Sequence, residues 1–318
     1  LFRKRVAAVE RNALKLSAAG ALLMAALGIG FAVSTGSSAI LLDGVFSLVG
    51  FVAALVSLRI ASMVVQPDDR HFNFGYASFE PLFNLAKGIL IAVIGVYALV
   101  DAVISLLQGG REIQLGTAVI YALVVSLTCF IVATVQYRTA RKVNSPLVEI
   151  DAKNWLVDGL LTVAVLVAFG IGWFMQGTSF ESFTRYVDPA TIALLVLLTA
   201  PVPYGIVRDS LGELLLIAPS PELQGQMVAA LQPKLDALAA KDYLVRMTKV
   251  GRALFVDVSV LADSDKALGS LAELDALRER LQDALDSVIN NASIEINFTA
   301  DPRWLGSVAD NLLGKVRG

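Results

Sequence analysis

Four polar side chains stand where an apolar chain has least use for them. In "SAILLDGVFSLVG", residues 38–50, Asp43 and Ser47 interrupt aliphatic sequence four residues apart. In "DAKNWLVDGLL", residues 151–161, Asn154 and Asp158 repeat that spacing, with Asp151 a turn before Asn154. Residues four apart share one face of a helix, so each stretch presents a polar pair. An ionisable residue within an apolar span is costly and marks a functional site by default. Two carboxylates, an amide oxygen and a hydroxyl are hard oxygen donors, and two aspartate charges neutralise a dication. The blander readings are that Ser47 bonds back to its own helix and that Asn154 joins two helices. A purely structural Asp43 and Asp158 is the weakest of these, because a buried like-charge pair without a ligand is unfavourable.

The elements that must carry these residues are legible from composition. The chain has 318 residues, 56% of them hydrophobic and only 17% charged, with a mean hydropathy of +0.68. A soluble domain is about 45–50% apolar and about 25% charged, so lipid must hide the excess. Apolar runs of about 20 residues fall at about 12–34, 38–64, 79–108, 114–137, 146–175 and 189–216. This predicts an all-α six-span membrane domain over 1–217, a small cytoplasmic domain over 218–305 and a tail over 306–318. The net charge of −2 points to no particular partner, and no nucleic acid is expected. The single cysteine, Cys129 in the fourth run, excludes a disulfide framework and a multi-thiolate metal site. The first residue is Leu1, so a few initial residues are expected to be missing.

Lys and Arg set the orientation. The amino terminus holds Arg3, Lys4, Arg5, Arg11 and Lys15; the 2–3 loop has Arg70 with Arg59 close by; the 4–5 loop has Arg138, Arg141 and Lys142. Arg208 ends the sixth run, and the alternate loops hold only Arg111 and Arg185. Both termini are therefore expected in the cytoplasm. At 1.5 Å of rise per residue, Asp43 lies roughly 8 Å and Ser47 roughly 14 Å below an outer entry near Ser38. From a cytoplasmic entry near Ser145, Asn154 lies roughly 14 Å and Asp158 roughly 20 Å deep. In a hydrocarbon core about 30 Å thick, Asp158 then approaches the level of Asp43, and Asn154 that of Ser47. Two antiparallel helices so bring four oxygen-bearing side chains to one height.

The last third has a different texture. "SPELQGQMVAALQPKLDAL" opens with the N-cap Ser220, Pro221 and Glu222. "YLVRMTKVG" and "RALFVDVSVLAD" alternate like strands around a turn at Gly251, a helix follows at about 266–289, and "ASIEINFTA" is a third strand. That order, αββαβ, suits a two-layer α+β domain. Its loops lack His, Cys and clustered carboxylates, which favours a dimerisation module without a metal of its own.

At these residues the chain resembles the cation diffusion facilitator family, proton-coupled exporters of divalent transition metals. The resemblance rests on "SSAILLDGVFSLVG", on "PDDRHFNFGYASFEPL" in the 2–3 loop and on "DAKNWLVDGLL", which is similar to the family's A-D-x-x-H-x-x-x-D pattern. It implies a ferredoxin-like tail that dimerises, and it places Asp43 and Asp158 on the transport-site aspartates. Ser47 stands where the second span usually has Asp, and Asn154 where zinc exporters usually carry His. Zn²⁺ prefers nitrogen and sulfur donors, whereas carboxylate, carbonyl and water suit Mn²⁺, Mg²⁺ or Ca²⁺. Asparagine at that position resembles the manganese exporters, with iron(II) also represented, so the expected cargo is Mn²⁺, then Fe²⁺, with Zn²⁺ disfavoured.

The resemblance also implies secondary sites. Some members bind a second metal in the 2–3 loop; here Asp68, Asp69 and His71 remain, while Tyr76 stands where another His is expected. A Lys–Asp lock between membrane protomers has no counterpart, since Ser78 and Leu216 fall at those positions. Lys153 points away from Asn154 and is expected to snorkel. Lys87 shares a face with Glu80 and Asn84, either pairing with Glu80 or serving as counter-ion to the empty site; with Asp151 these are accessory candidates.

The expected function is metal export against protons by alternating access, in the inner or plasma membrane of a bacterium. The exchanged protons would reside on Asp43 and Asp158. Alternatives are a non-transporting metal sensor or assembly factor on this scaffold, and a Zn²⁺ exporter with a degenerate site. An intramembrane aspartyl hydrolase fails, because neither aspartate lies in a glycine-flanked catalytic motif.

Overall fold

A computed structural model describes residues 2–64, 66–143, 146–238, 240–262, 270–289 and 292–305. The predicted tail 306–318, Ser145 and the predicted helix start at 266–269 lie outside the described residues. Five long helices come first: α1 (Phe2–Thr35), α2 (Ser38–Val64), α3 (Phe79–Leu107), α4 (Leu115–Val143) and α5 (Pro146–Met175). A 3₁₀ turn at Glu181–Tyr186 leads into α6 (Val187–Thr199) and α7 (Pro201–Leu214). Six segments are long and apolar enough to cross a membrane, the last being Glu181–Leu214.

That last segment is not the single run the hydropathy suggests. Pro201 and Pro203 have no N–H to return to the preceding turn, and the ladder bond that spans them, Tyr204 N–H to Ala200 carbonyl, is long at 3.4 Å. Thr199 compensates by donating its hydroxyl to the Leu195 carbonyl at 2.8 Å. The result is two abutting helices, α6 and α7.

The chain forms two compact units, one of residues 1–59 and 87–205 and one of residues 60–86 and 206–318. The compositional boundary near 217 is thus not the packing boundary, because the 2–3 loop and the end of α7 pack with the tail. In the first unit small residues set the helix spacing, as expected where lipid removes the hydrophobic drive between helices. Gly28 of α1 and Gly44 of α2 approach so closely that a Cβ on either would strike the backbone of the other. Gly159 of α5 lies against Cys129 and Phe130 of α4. Tyr121, Phe169, Ile40, Leu115 and Ile192 are fully buried between the helices.

The second unit carries a three-stranded sheet in the order β1-β2-β3, from β1 (Ala240–Val250), β2 (Ala253–Ala262) and β3 (Ala292–Thr299). β1 and β2 are antiparallel, closing at Val250↔Ala253, while β2 and β3 are parallel. The parallel pair requires a crossover, which contains α9 (Leu271–Asp286). Leu231 and Leu235 of α8 (Pro221–Asp236) and Leu281 and Leu285 of α9 bury themselves in one core with Val256, Val258 and Val260 of β2. Ser220 caps α8, and Ser270 with Glu273 forms a capping box at α9. The hairpin turn at Gly251, with φ 58°, is gripped by two carboxylates. Glu80 accepts from the Arg252 backbone N–H at 3.0 Å and its Nε at 2.7 Å, and Glu213 accepts from the Gly251 N–H at 2.8 Å. A Cβ at Gly251 would lie 2.6 Å from Glu80 Oε2, so the approach needs glycine.

Candidate metal site

The first turn of α2 is fixed before Asp43 is reached. Helix starts leave backbone N–H groups without partners, and here Asp188, fully buried at the start of α6, takes up two of them. Its carboxylate accepts from Ser38 N–H and Ala39 N–H, each at 3.2 Å, and from the Ser37 hydroxyl. The Ser37 oxygen in turn accepts from Ile40 N–H at 3.1 Å. Arg111 stands 3.6 Å from Asp188, pairs with Asp101 at 2.9 Å and donates to the Ser38 hydroxyl. Sequence reading missed Asp188; its signal was an aspartate before proline at the head of a span.

One turn further along α2, Asp43 is half-buried, and its Oδ2 accepts from the Tyr121 hydroxyl of α4 at 2.6 Å. Its other oxygen has no hydrogen-bond partner among the described residues. Asp43 lines a cavity of about 70 Å³ between α2, α4, α5 and α6, room for several water-sized occupants. The other polar side chains on its wall are Tyr121, Thr162 and Thr199. Their hydrogens are already committed: Tyr121 donates to Asp43, Thr162 to the Asp158 carbonyl at 2.9 Å and Thr199 to the Leu195 carbonyl. A hydroxyl that has given its hydrogen offers only lone pairs. The cavity therefore presents acceptors and no donors.

Asp158 lies a turn before Thr162 and is within electrostatic reach of Asp43, with Cys129 of α4 in reach of both. Its carboxylate has no hydrogen-bond partner among the described residues. Asp158 is itself exposed and does not line the cavity, so the structure brings the two predicted aspartates within electrostatic reach of one another without placing both on the cavity wall. Ser47 is half-buried and Asn154 exposed; neither lines the cavity, and neither side chain is hydrogen-bonded among the described residues. So Ser47 is not back-bonded, and Asn154 is not a link between helices. Tyr121, Thr162 and Thr199 were missed because a hydroxyl in an apolar helix is indistinguishable from one that merely serves its own backbone.

The accessory candidates have other occupations. Asp151 accepts from Ser17 Oγ at 2.9 Å and Gln136 Nε2 at 2.8 Å, and Trp155 Nε1 donates to the same Ser17 at 2.8 Å. This ties α1, α4 and α5 together and uses up the carboxylate. Glu80 is bound to Arg252 in the hairpin, so the partner expected for it, Lys87, is not the one it has. Lys87 is half-buried and forms no ion pair among the described residues. Lys153 pairs with Glu149 at 2.8 Å on an exposed surface, in keeping with a bystander.

The loop trio is not gathered into a site. Asp69 accepts from the backbone N–H groups of His71 at 2.7 Å and Phe72 at 2.9 Å, and from the Tyr76 hydroxyl at 2.6 Å. The Tyr76 bond, then those backbone bonds, hold its carboxyl below the usual carboxylate range. Among the described residues no group of three or more His, Cys, Asp or Glu is arranged to hold a metal. Asp69 shapes the loop, and Tyr76 in place of a histidine serves that turn. Asp43 and Asp158 are only two such residues, so a metal held there would need hydroxyl, amide or water oxygens for the rest of its shell.

A cation efflux transmembrane domain matches residues 14–215. The cation-efflux pump FieF of Citrobacter koseri is 29% identical over 140 residues, 44% of this chain and 47% of that protein. The same pump of Klebsiella pneumoniae matches equally, and that of Salmonella arizonae is 28% identical over 140 residues. The chain spans about half the length of the curated relatives it matches. With a matched domain covering more than half of its residues and six segments able to cross a membrane, the chain belongs to the cation diffusion facilitator, or cation efflux, family, whose members are transporters rather than enzymes.

Proposed function

We propose that this protein exports a divalent cation from the cytoplasm in exchange for protons, with Asp43 and Asp158 as the charged ligands. One observation carries the reading: a cavity among apolar helices whose polar side chains offer only lone pairs, lined by Asp43, which has an oxygen to spare and lies within electrostatic reach of Asp158. An anion or a neutral acceptor finds no partner there. A dication finds two negative charges and hydroxyl oxygens, with water to complete its shell. Asn154 and Ser47, one turn from Asp158 and Asp43, are the remaining oxygen donors and join as the helices rearrange. Protons reside on the two carboxylates when metal has left, since the chain's one histidine, His71, is in the 2–3 loop.

Oxygen ligands favour Mn²⁺, then Fe²⁺, over Zn²⁺. The relatives named cation-efflux pumps support the direction of transport, and the basic residues of the amino terminus and alternate loops support cytoplasmic termini. The tail is read as a ferredoxin-like module through which two copies pair. Proteoliposomes holding the purified protein, with a pH gradient and a panel of Mn²⁺, Fe²⁺, Zn²⁺ and Mg²⁺, test this. The expected result is metal flux coupled to counter-movement of protons, with Mn²⁺ fastest. Metal binding without flux would replace the transporter with a sensor.

A further inference from the structure

We propose that Tyr121 is a positioning residue of this site, holding Asp43 by one oxygen so that the other is presented to the metal. This rests on the reading of Asp43 as a ligand. The phenol is 2% exposed, and its only hydrogen bond among the described residues is the one to Asp43 Oδ2. Three helices fix where that hydroxyl sits. Its ring packs on Phe31 of α1, with centroids 5.4 Å apart. Its hydroxyl lies 3.1 Å from where a Gly28 Cβ would be, in the space left by the Gly28–Gly44 crossing. Gly44 is also the residue next to Asp43, so the contact that lets α1 and α2 approach fixes the carboxylate and its donor together.

A free aspartate turns about two side-chain bonds and can offer a cation either oxygen or both. With Oδ2 tied to the phenol, Asp43 has one oxygen left without a partner, in a residue that lines the cavity. Ligating carboxylates are held by such outer hydrogen bonds, whose loss costs about 10- to 100-fold in metal affinity. Tyr121 thereby makes α4 a contributor to a site whose other polar groups come from α2, α5 and α6, without binding the metal itself.

Tyr121→Phe removes the hydroxyl and keeps the ring against Phe31. In proteoliposomes its half-saturating Mn²⁺ concentration should rise about 10- to 100-fold, with the maximal rate within a few-fold of the parent. A residue needed only for packing would leave the half-saturating concentration unchanged, and that result overturns the proposal. Phe31→Leu is the second variant, should Tyr121→Phe fail to reconstitute. It loosens the ring without touching the hydroxyl and should raise half-saturation several-fold; an unchanged value again overturns the assignment. Asp43→Asn run in parallel separates the two readings. If it transports normally, the site itself is wrong; if it is inactive while Tyr121→Phe is unaltered, only the role of Tyr121 falls.

Discussion

Two aspartates that meet the opening turns of α2, one reaching it from α6 and one within it, live by opposite rules. Asp188, at the head of α6 and bonded to the head of α2, takes a hydroxyl, two backbone N–H groups and the charge of Arg111. Asp43, inside α2, takes one phenol, and the Asp158 carboxylate takes no hydrogen bond among the described residues. Asp151 and Glu80 follow Asp188, each accepting at least two hydrogen bonds. Burying a carboxylate is tolerable when its lone pairs are used. Saturated carboxylates therefore hold the fold, and those with lone pairs to spare are the ones proposed to meet a cation.

The widest separation between the two classes comes from deleting one of each. Asp43→Ala or Asp158→Ala should bring Mn²⁺ flux to background while the protein still inserts and elutes normally, since half the charge balance is gone. Asp188→Ala should do the reverse. It strands Ser37 and the backbone N–H groups of the first turn of α2, while Arg111 keeps Asp101, at a cost of about 1–3 kcal/mol for each buried group left unpaired, read as a lowered melting temperature. Whatever stays folded keeps its affinity for Mn²⁺. Normal flux in either of the first variants ends the distinction drawn here.

A smaller change sharpens it. Asn154→His, with Ser47→Asp if required, should shift preference from Mn²⁺ toward Zn²⁺, because imidazole nitrogen is the better zinc donor. The new group titrates at about pH 6–7, so transport should gain a pH dependence there, rising as the imidazole loses its proton. Cys129→Ser in the parent should leave metal preference unchanged; loss of residual Zn²⁺ transport would instead enrol the thiol as a ligand. Competitive uptake of the two metals at several pH values reads both.

The smallest effect belongs to the 2–3 loop, where Asp69 is a saturated carboxylate in water. Its folded-state carboxyl is held low by Tyr76 and the backbone of Phe72 and His71. The order it lends is therefore present above the ordinary carboxylate range, near pH 4, and is lost as pH falls through the lowered value. Amide exchange at His71 and Phe72 should stay slow from neutral pH to about pH 4 and quicken below it. Asp69→Ala should quicken it at every pH and leave Mn²⁺ flux intact. A change in flux would restore the loop as a metal site.

Sequence by itself determined the spans and the strands and turn of the tail, and it singled out Asp43 and Asp158 as candidates. Each of these is written in local terms: hydropathy over one helix length, alternation over one strand, a charge in an apolar run. It also erred in ways that locality explains. The sixth run reads as one helix because hydropathy is blind to the two N–H groups that Pro201 and Pro203 lack. Asp69 reads as a candidate loop ligand, and Asp151 and Glu80 as accessory residues, because a list of residue types does not say whose oxygens are already taken. Only the tertiary structure decided that. Tyr121 donates to Asp43 because α1 and α2 cross at two glycines, and Asp188 is saturated because the head of α6 meets the head of α2. Satisfaction of a polar group is a property of neighbours distant in sequence, and the division between carboxylates that build this protein and those that serve it exists only once the helices are packed.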